Sequence, residues 1–154
     1  MQLNVGDFIS GKSISIGKYL GENTINDTKF HKIFDTSKNL VLYVPVGNES
    51  DLRKLPSKTT VDKYLNMFND DSIIDSQEIE GSRYKYFKEK VSKSKFKYSI
   101  EVLHDLCVLK KNRDISASER KLLNSLEEKL LPELSHISDM KSDEIENRIH
   151  FKLQ

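Results

Sequence analysis

Cationic side chains recur at helical spacing around a tyrosine in the middle of this chain. At about 100° per residue on a helix, one face carries Arg83, Tyr86, Lys90 and Lys93. Arginine and lysine neutralise phosphates, and tyrosine can stack on a base or pack against a sugar. The pattern therefore favours attachment to nucleic acid without strong sequence preference. The alternative is an ordinary solvated, lysine-rich helix face.

The distribution of charge supports the nucleic-acid interpretation. Residues 82–113 hold 10 basic and 3 acidic side chains, a net charge of +7, whereas the whole chain has a net charge of +1. Lys85 and Lys88 flank the apolar side of the same helix, and Lys95 and Lys97 continue the charge into the next turn. Clustered charge, rather than total charge, is the footprint of a nucleic-acid site.

A predicted helix start offers a second place for a phosphate. Ser116-Ala117-Ser118-Glu119 is a capping box, in which the hydroxyl and the carboxylate each satisfy a free backbone N–H. Ser116, Ser118 and Arg120 lie beside the positive end of the helix dipole, where an anion can bind. The alternative is a purely structural cap.

An apolar run over residues 40–46 is the clearest strand of the chain. Alternation places Leu42 and Tyr43 on opposite faces of the sheet, so one of them can point outward. An exposed strand can recruit a partner strand by main-chain hydrogen bonding. The alternative is that Tyr43 only forms part of the wall of a small β-barrel.

No sequence motif supports an enzymatic or metal-dependent function. The sequence has no phosphate-binding loop, nucleophile elbow or base–nucleophile pair. His104 and Cys107 stand one turn apart, but no second pair completes a four-ligand zinc site, so a packed helix face is the better interpretation. His31, His136 and His150 have no evident partners. We expect no catalysis, cofactor, metal or small-molecule substrate.

Length and composition bound the class of protein. The chain has 154 residues, of which 36% are apolar and 32% charged, which suits one compact domain or two small ones. Its single cysteine, Cys107, excludes an intramolecular disulfide and fits a reducing compartment. No apolar run approaches the ~18 residues of a membrane span. The expectation is a cytoplasmic monomer.

The apolar period changes near residue 56. Before it, short β-branched and aromatic runs predict strands over 5–9, 14–20, 30–34, 40–46 and 52–55, the second closed by the turn 21–23. Short strands joined by tight turns favour a small barrel.

After residue 56 the period is helical, and about five helices are predicted. The first is capped by Thr59 or Thr60; two follow over 83–94 and 97–113. A long helix opens at Ser116 and is kinked or divided by Pro132, and Ser142 caps the last. The fold class is α+β, a small β-barrel followed by an all-α domain.

Four segments resemble the CarD/CdnL family of bacterial transcription regulators, and the likeness covers nearly the whole chain. The segment 5–7 (VGD) is similar to the family's opening motif, and 42–46 (LYVPV) to its late strand. The segment 82–85 (SRYK) is similar to the start of the family's DNA-facing helix, and 115–123 (ISASERKLL) to a later helix start. Four motifs in the right order and spacing make the resemblance specific.

The resemblance implies two domains with separate partners. Residues 1–57 would form a Tudor-like (SH3-like) domain that docks on the RNA polymerase β subunit. Residues 58–154 would contact promoter DNA and stabilise the open complex; such proteins are not enzymes. The polymerase contacts would be Leu42, Tyr43, Val44 and Pro45. The DNA contacts would be Arg83, Lys85, Tyr86, Lys88, Lys90, Lys93 and Arg120.

One departure from the family concerns the DNA contact. Many members place a tryptophan just before the DNA-facing helix, where it wedges into the minor groove. This chain has no tryptophan, and the slot falls near Glu80. A carboxylate cannot fill the gap between unstacked bases. Ile79 and Tyr86 are the candidate replacements.

Two functions therefore stay open. The first is a regulator that bridges polymerase and promoter DNA. The second is a protein-binding adaptor that uses the β module alone, with the helices as a scaffold. Salt-sensitive DNA binding would distinguish them.

Overall fold

A computed structural model describes residues 2–11, 14, 16–48, 52–74 and 81–151. The chain divides into two compact units, Met1–Leu55 and Pro56–Gln154. The first contains the strands and the second the helices, so the predicted α+β class is confirmed. Ile79, Glu80 and the rest of 75–80 lie outside the described residues.

The β unit is an antiparallel sheet of five strands. They are β1 (Phe8–Gly11), β2 (Gly17–Ile25), β3 (Thr28–Asp35), β4 (Leu40–Pro45) and β5 (Leu52–Lys54). The order across the sheet is β4-β3-β2-β1-β5, which places β4 and β5 at the two ends. Ile9, Tyr19 and Ile33 are buried on its inner face together with Ile14.

Close packing in this unit requires a glycine at the start of β2. A Cβ atom at Gly17 would lie 2.7 Å from the Cγ2 of Ile33 and 2.9 Å from that of Ile14. Both distances are shorter than any ordinary carbon–carbon contact, so the sheet can close over its core only without a side chain there.

The second strand differs from its prediction. It does not close at 21–23 but continues to Ile25, and the chain reverses at Asn26 and Asp27, whose φ angles are 50° and 65°. Gly21, at φ 114°, instead marks a shift of register after Tyr19. A glycine within a strand can thus mark a bulge rather than a turn.

The helical unit has five α-helices. They are α1 (Lys58–Leu65), α2 (Arg83–Ser92), α3 (Phe96–Lys111), α4 (Ala117–Ser138) and α5 (Ser142–Ile149). A 3₁₀ turn, Asn66–Asn69, extends α1 and buries Phe68. The central element is α3, because 11 of its 16 residues are buried. Within the described residues, none of the helices has the length and apolar character needed to cross a bilayer.

The N-terminal caps of the helices can be compared with those predicted from the sequence. The capping box at Ser116 and Glu119 is present as predicted. The cap of α1 is Ser57, whose side chain accepts the N–H of Thr60, and the prediction of Thr59 or Thr60 was wrong. Ser142 is the first residue of α5 rather than its cap. Pro132 lies inside α4 and does not start a new helix.

Candidate nucleic-acid and partner interfaces

The start of α2 is fastened to the start of α4 by Arg83. Its Nε and Nη2 donate to the two carboxylate oxygens of Glu119 at 2.6 and 2.8 Å, and Nη2 also donates to the carbonyl of Asp114 at 2.8 Å. Glu119 is almost fully buried, and its Oε1 accepts the backbone N–H of Ser116 at 3.0 Å. Burial alone would raise the pKa of Glu119, but the hydrogen bonds from Arg83 and Ser116 lower it.

The other residue of the predicted basic face that turns inward is Lys90. It is 8% exposed, and its Nζ lies 3.0 Å from the carboxylate of Glu101 on α3. Of the predicted DNA contacts, Arg83 and Lys90 are therefore held in ion pairs inside the unit. Their charges position α2 against α4 and α3.

The remaining predicted DNA contacts are exposed. Lys85, Tyr86, Lys88 and Lys93 lie on the surface of α2 and its C-cap, and Arg120 is exposed in the first turn of α4. The Nζ of Lys88 lies 5.9 Å from the centre of the Tyr84 ring, a cation–π distance. These are the side chains that an external phosphate can reach.

A cleft between α2 and α3 contains two of these exposed groups, Tyr86 and Lys93. Its volume is about 310 Å³, and it is lined by Tyr86, Glu89, Lys90, Lys93, Lys97, Tyr98 and Glu101. The Nζ atoms of Lys93 and Lys95 lie 5.2 and 5.9 Å from the centre of the Tyr98 ring. Amines beside two tyrosines suit phosphates and flat aromatic groups such as nucleobases.

Tyr98 is an aromatic residue of this cleft that the sequence pattern does not reveal. It lies in the first turn of α3, whereas the predicted basic face, with its tyrosine, was read from the spacing of residues on one helix. Helical periodicity relates residues on one helix, and the approach of α3 to α2 is set by tertiary packing. A tyrosine following a lysine-rich linker was the only available signal.

The N-terminus of α4 functions first as a cap. The Ser116 hydroxyl accepts the N–H of Glu119, and the Glu119 carboxylate accepts the N–H of Ser116. Two of the backbone donors that a phosphate would use are thus already satisfied. Arg120 is an exposed cation at this helix end.

The candidate protein-binding strand lies at one end of the sheet. Among the described strands, β4 has β3 as its single neighbour. Tyr43 is exposed and its ring lies edge-on to Phe30 at 6.3 Å, whereas Leu42 and Val44 pack against the buried core. Pro45 ends the strand opposite Phe30. Alternation therefore directs the tyrosine outward and the leucine inward.

Three histidines have partners that sequence spacing does not reveal. His31 Nδ1 lies 2.8 Å from the hydroxyl of Tyr19, and His150 Nε2 lies 2.6 Å from Glu127 Oε1. His104 is buried, and its two ring nitrogens face the Asp105 carboxylate at 3.1 Å and a backbone carbonyl of the loop after α1 at 2.6 Å. The prediction that His31 and His150 lack partners was wrong.

Comparison with known proteins relates the helical unit to one family. A family model described as "CarD, C-terminal domain" matches residues 63–150, which run from the end of α1 to the end of α5. No curated protein matches the chain. Because the family match covers more than half of the sequence, this protein belongs to the CarD family of non-enzymatic, RNA-polymerase-associated transcription regulators.

Proposed function

We propose that this protein binds the RNA polymerase β subunit through its β unit and promoter DNA through its helical unit, and so stabilises the open promoter complex. The observation that carries the DNA half is the cleft between α2 and α3, where Lys93 and Lys97 are exposed. It joins exposed amines to Tyr86 and Tyr98 on one surface.

Within this proposal the predicted DNA contacts take two roles. Lys85, Lys88, Lys93 and Arg120 would neutralise phosphates, and Tyr86 would pack against a sugar or base. Arg83 and Lys90 would act as positioning residues, because their charges are already matched by carboxylates of the same unit. The DNA contacts are then fewer than the sequence suggests.

The polymerase half of the proposal uses the end strand of the sheet. A partner strand added beside β4 would form main-chain hydrogen bonds, and the exposed Tyr43 and Val41 would supply side-chain contacts. The other three predicted contacts have partly buried side chains, so they would contribute through the main chain of the strand. They are Leu42, Val44 and Pro45.

DNA binding is tested by fluorescence anisotropy of a labelled duplex containing an unpaired bubble, titrated between 50 and 200 mM salt, a range that reveals phosphate contacts. The slope of log K against log salt is negative, and each lost phosphate contact should make it less steep by about 0.9. We expect that loss for Lys93→Ala and none for Lys18→Ala, a matched change on the exposed face of β2. Equal slopes for the two variants would contradict the proposed surface.

The adaptor alternative makes the opposite prediction. It requires no DNA binding at low salt together with intact capture of polymerase. Capture of purified RNA polymerase by immobilised Tyr43→Glu and Tyr43→Phe chains tests the edge strand. We expect the glutamate variant to lose capture and the phenylalanine variant to keep it, because only the former places a charge on the apolar outer face.

A further inference from the structure

Three potential metal ligands from distant parts of the sequence meet in the helical unit. They are Cys107 on α3, Glu127 on α4 and His150 at the end of α5. The thiol sulfur, a carboxylate oxygen and an imidazole nitrogen all lie within 4.8 Å of one another. Cys107 is 1% exposed, and the side chains of Glu127 and His150 are 17% and 12% exposed. The first two ligands come from different helices, and the third is the C-cap of another.

The contact between two of these groups is not an ordinary hydrogen bond. Glu127 Oε1 is buried and lies 2.6 Å from His150 Nε2, an ion-pair contact that does not have the geometry of a hydrogen bond. A buried acceptor without an aligned donor costs free energy. A cation placed about 2.0 Å from each atom would satisfy both, after they separate to the ~3.3 Å that neighbouring ligands adopt around tetrahedral zinc.

The charges around the cluster also suit a divalent cation. A thiolate and a carboxylate together carry two negative charges, which a divalent ion neutralises, and the imidazole adds a neutral ligand. Two lysines, Lys110 and Lys111, line the adjoining cavity of about 290 Å³. The ammonium of Lys111 is drawn away to the Asp71 carboxylate at 2.8 Å, and Lys110 is exposed to solvent.

We infer that Cys107, Glu127 and His150 form a zinc site, with water from the adjoining cavity as the fourth ligand. Sulfur, nitrogen and oxygen ligands in this combination favour zinc over magnesium or calcium, which prefer oxygen alone. The bound ion would tie α3, α4 and the end of α5 together. Sequence spacing pairs Cys107 with His104, one turn away, and does not reveal ligands that lie 20 and 43 positions later.

The test is a titration of the full, metal-free chain with Co²⁺ under reducing conditions, followed by absorption spectroscopy. Tetrahedral Co²⁺ with a thiolate ligand gives intense visible bands and a near-ultraviolet thiolate-to-cobalt band. The chain has one cysteine, so a thiolate band can arise only from Cys107. We expect this band to saturate at one ion per chain and to vanish when Zn²⁺ is added.

Matched variants separate a metal site from a simple ion pair. Cys107→Ser should abolish the thiolate band, and Glu127→Gln and His150→Ala should each weaken binding at least tenfold. Glu128→Gln and His136→Ala change the same residue types elsewhere on α4 and should bind as the wild type does.

The inference is overturned if the wild-type chain shows no thiolate band. It is also overturned if that band saturates at one ion per two chains. The wild-type spectrum decides both cases, so the test does not depend on how any variant folds.

Discussion

Replacing Arg83 with alanine should destabilise the helical unit without removing a DNA contact. The guanidinium donates two short hydrogen bonds to a carboxylate that is 1% exposed, and these bonds join the first turn of α2 to that buried group. Truncation leaves Glu119 with the Ser116 N–H and the positive end of the α4 dipole.

The expected loss lies between two limits. Breaking a fully buried ion pair costs about 3–5 kcal/mol, whereas an exposed pair contributes about 0–1 kcal/mol. The Arg83 side chain is 35% exposed, so water partly screens the pair, but Glu119 is not accessible. We therefore expect a loss of about 2 kcal/mol, or roughly 30-fold in the folding equilibrium.

Urea denaturation followed by circular dichroism measures this loss, with Lys121→Ala as the control. Lys121 is exposed two residues after Glu119, and its removal should change stability by no more than about 0.5 kcal/mol. At a temperature where Arg83→Ala is folded, its DNA-binding salt slope should equal that of the wild type. A stable Arg83→Ala variant with a reduced slope would refute the reasoning, because the guanidinium would then contact phosphate rather than Glu119.

Three further predictions concern charge and packing. Since the pKa of Glu119 is lowered in the folded state, its contribution to stability is present above its unfolded pKa of about 4.3 and is lost as pH falls through the folded value. Glu119→Gln should flatten that acid limb in urea titrations; an unchanged limb would exclude the pair as its source. Burial would lower the pKa of His104, but bonds to Asp105 and to a backbone carbonyl raise it. Stability should therefore fall as pH rises from about 6.5 through the folded pKa, and His104→Gln should show no such fall between pH 6 and 8. Gly17→Ala should cost about 1–3 kcal/mol by overpacking, measured as a lower urea midpoint, and an unchanged midpoint would contradict the close approach to Ile33.

Local chemistry made some elements predictable. The box at Ser116 and Glu119 is identifiable because both of its bonds close within three residues. The strand over 40–45 is identifiable because a continuous apolar run has few alternatives. The α1 cap was misplaced because the segment offers three hydroxyl side chains, Ser57, Thr59 and Thr60, and the spacing of apolar residues does not distinguish them. Glycine at position 21 was ambiguous because turns and bulges both favour a positive φ.

Contacts between distant residues were the part that sequence could not supply. The spacing of apolar residues on its helix predicts that Arg83 is exposed, and its acceptor, Glu119, lies 36 residues later in the sequence. The same applies to Lys90 with Glu101 and to the Cys107 cluster. In each case the partner of a charged or ligating side chain lies on another helix. Helical periodicity describes one helix at a time, so by itself it predicts that such a side chain is exposed to solvent.

The reassignment of Arg83 and Lys90 changes what affinity the proposed mechanism needs. Fewer exposed cations imply fewer phosphate contacts and weak DNA binding by the helical unit alone. If the β unit holds the polymerase, however, the linked helical unit is confined near the promoter, and its effective concentration can reach the millimolar range. Weak, salt-sensitive DNA binding is then sufficient for the contact at the promoter. The same weak binding keeps the regulator from associating with DNA elsewhere. A DNA affinity that is already tight without polymerase would contradict this division of labour.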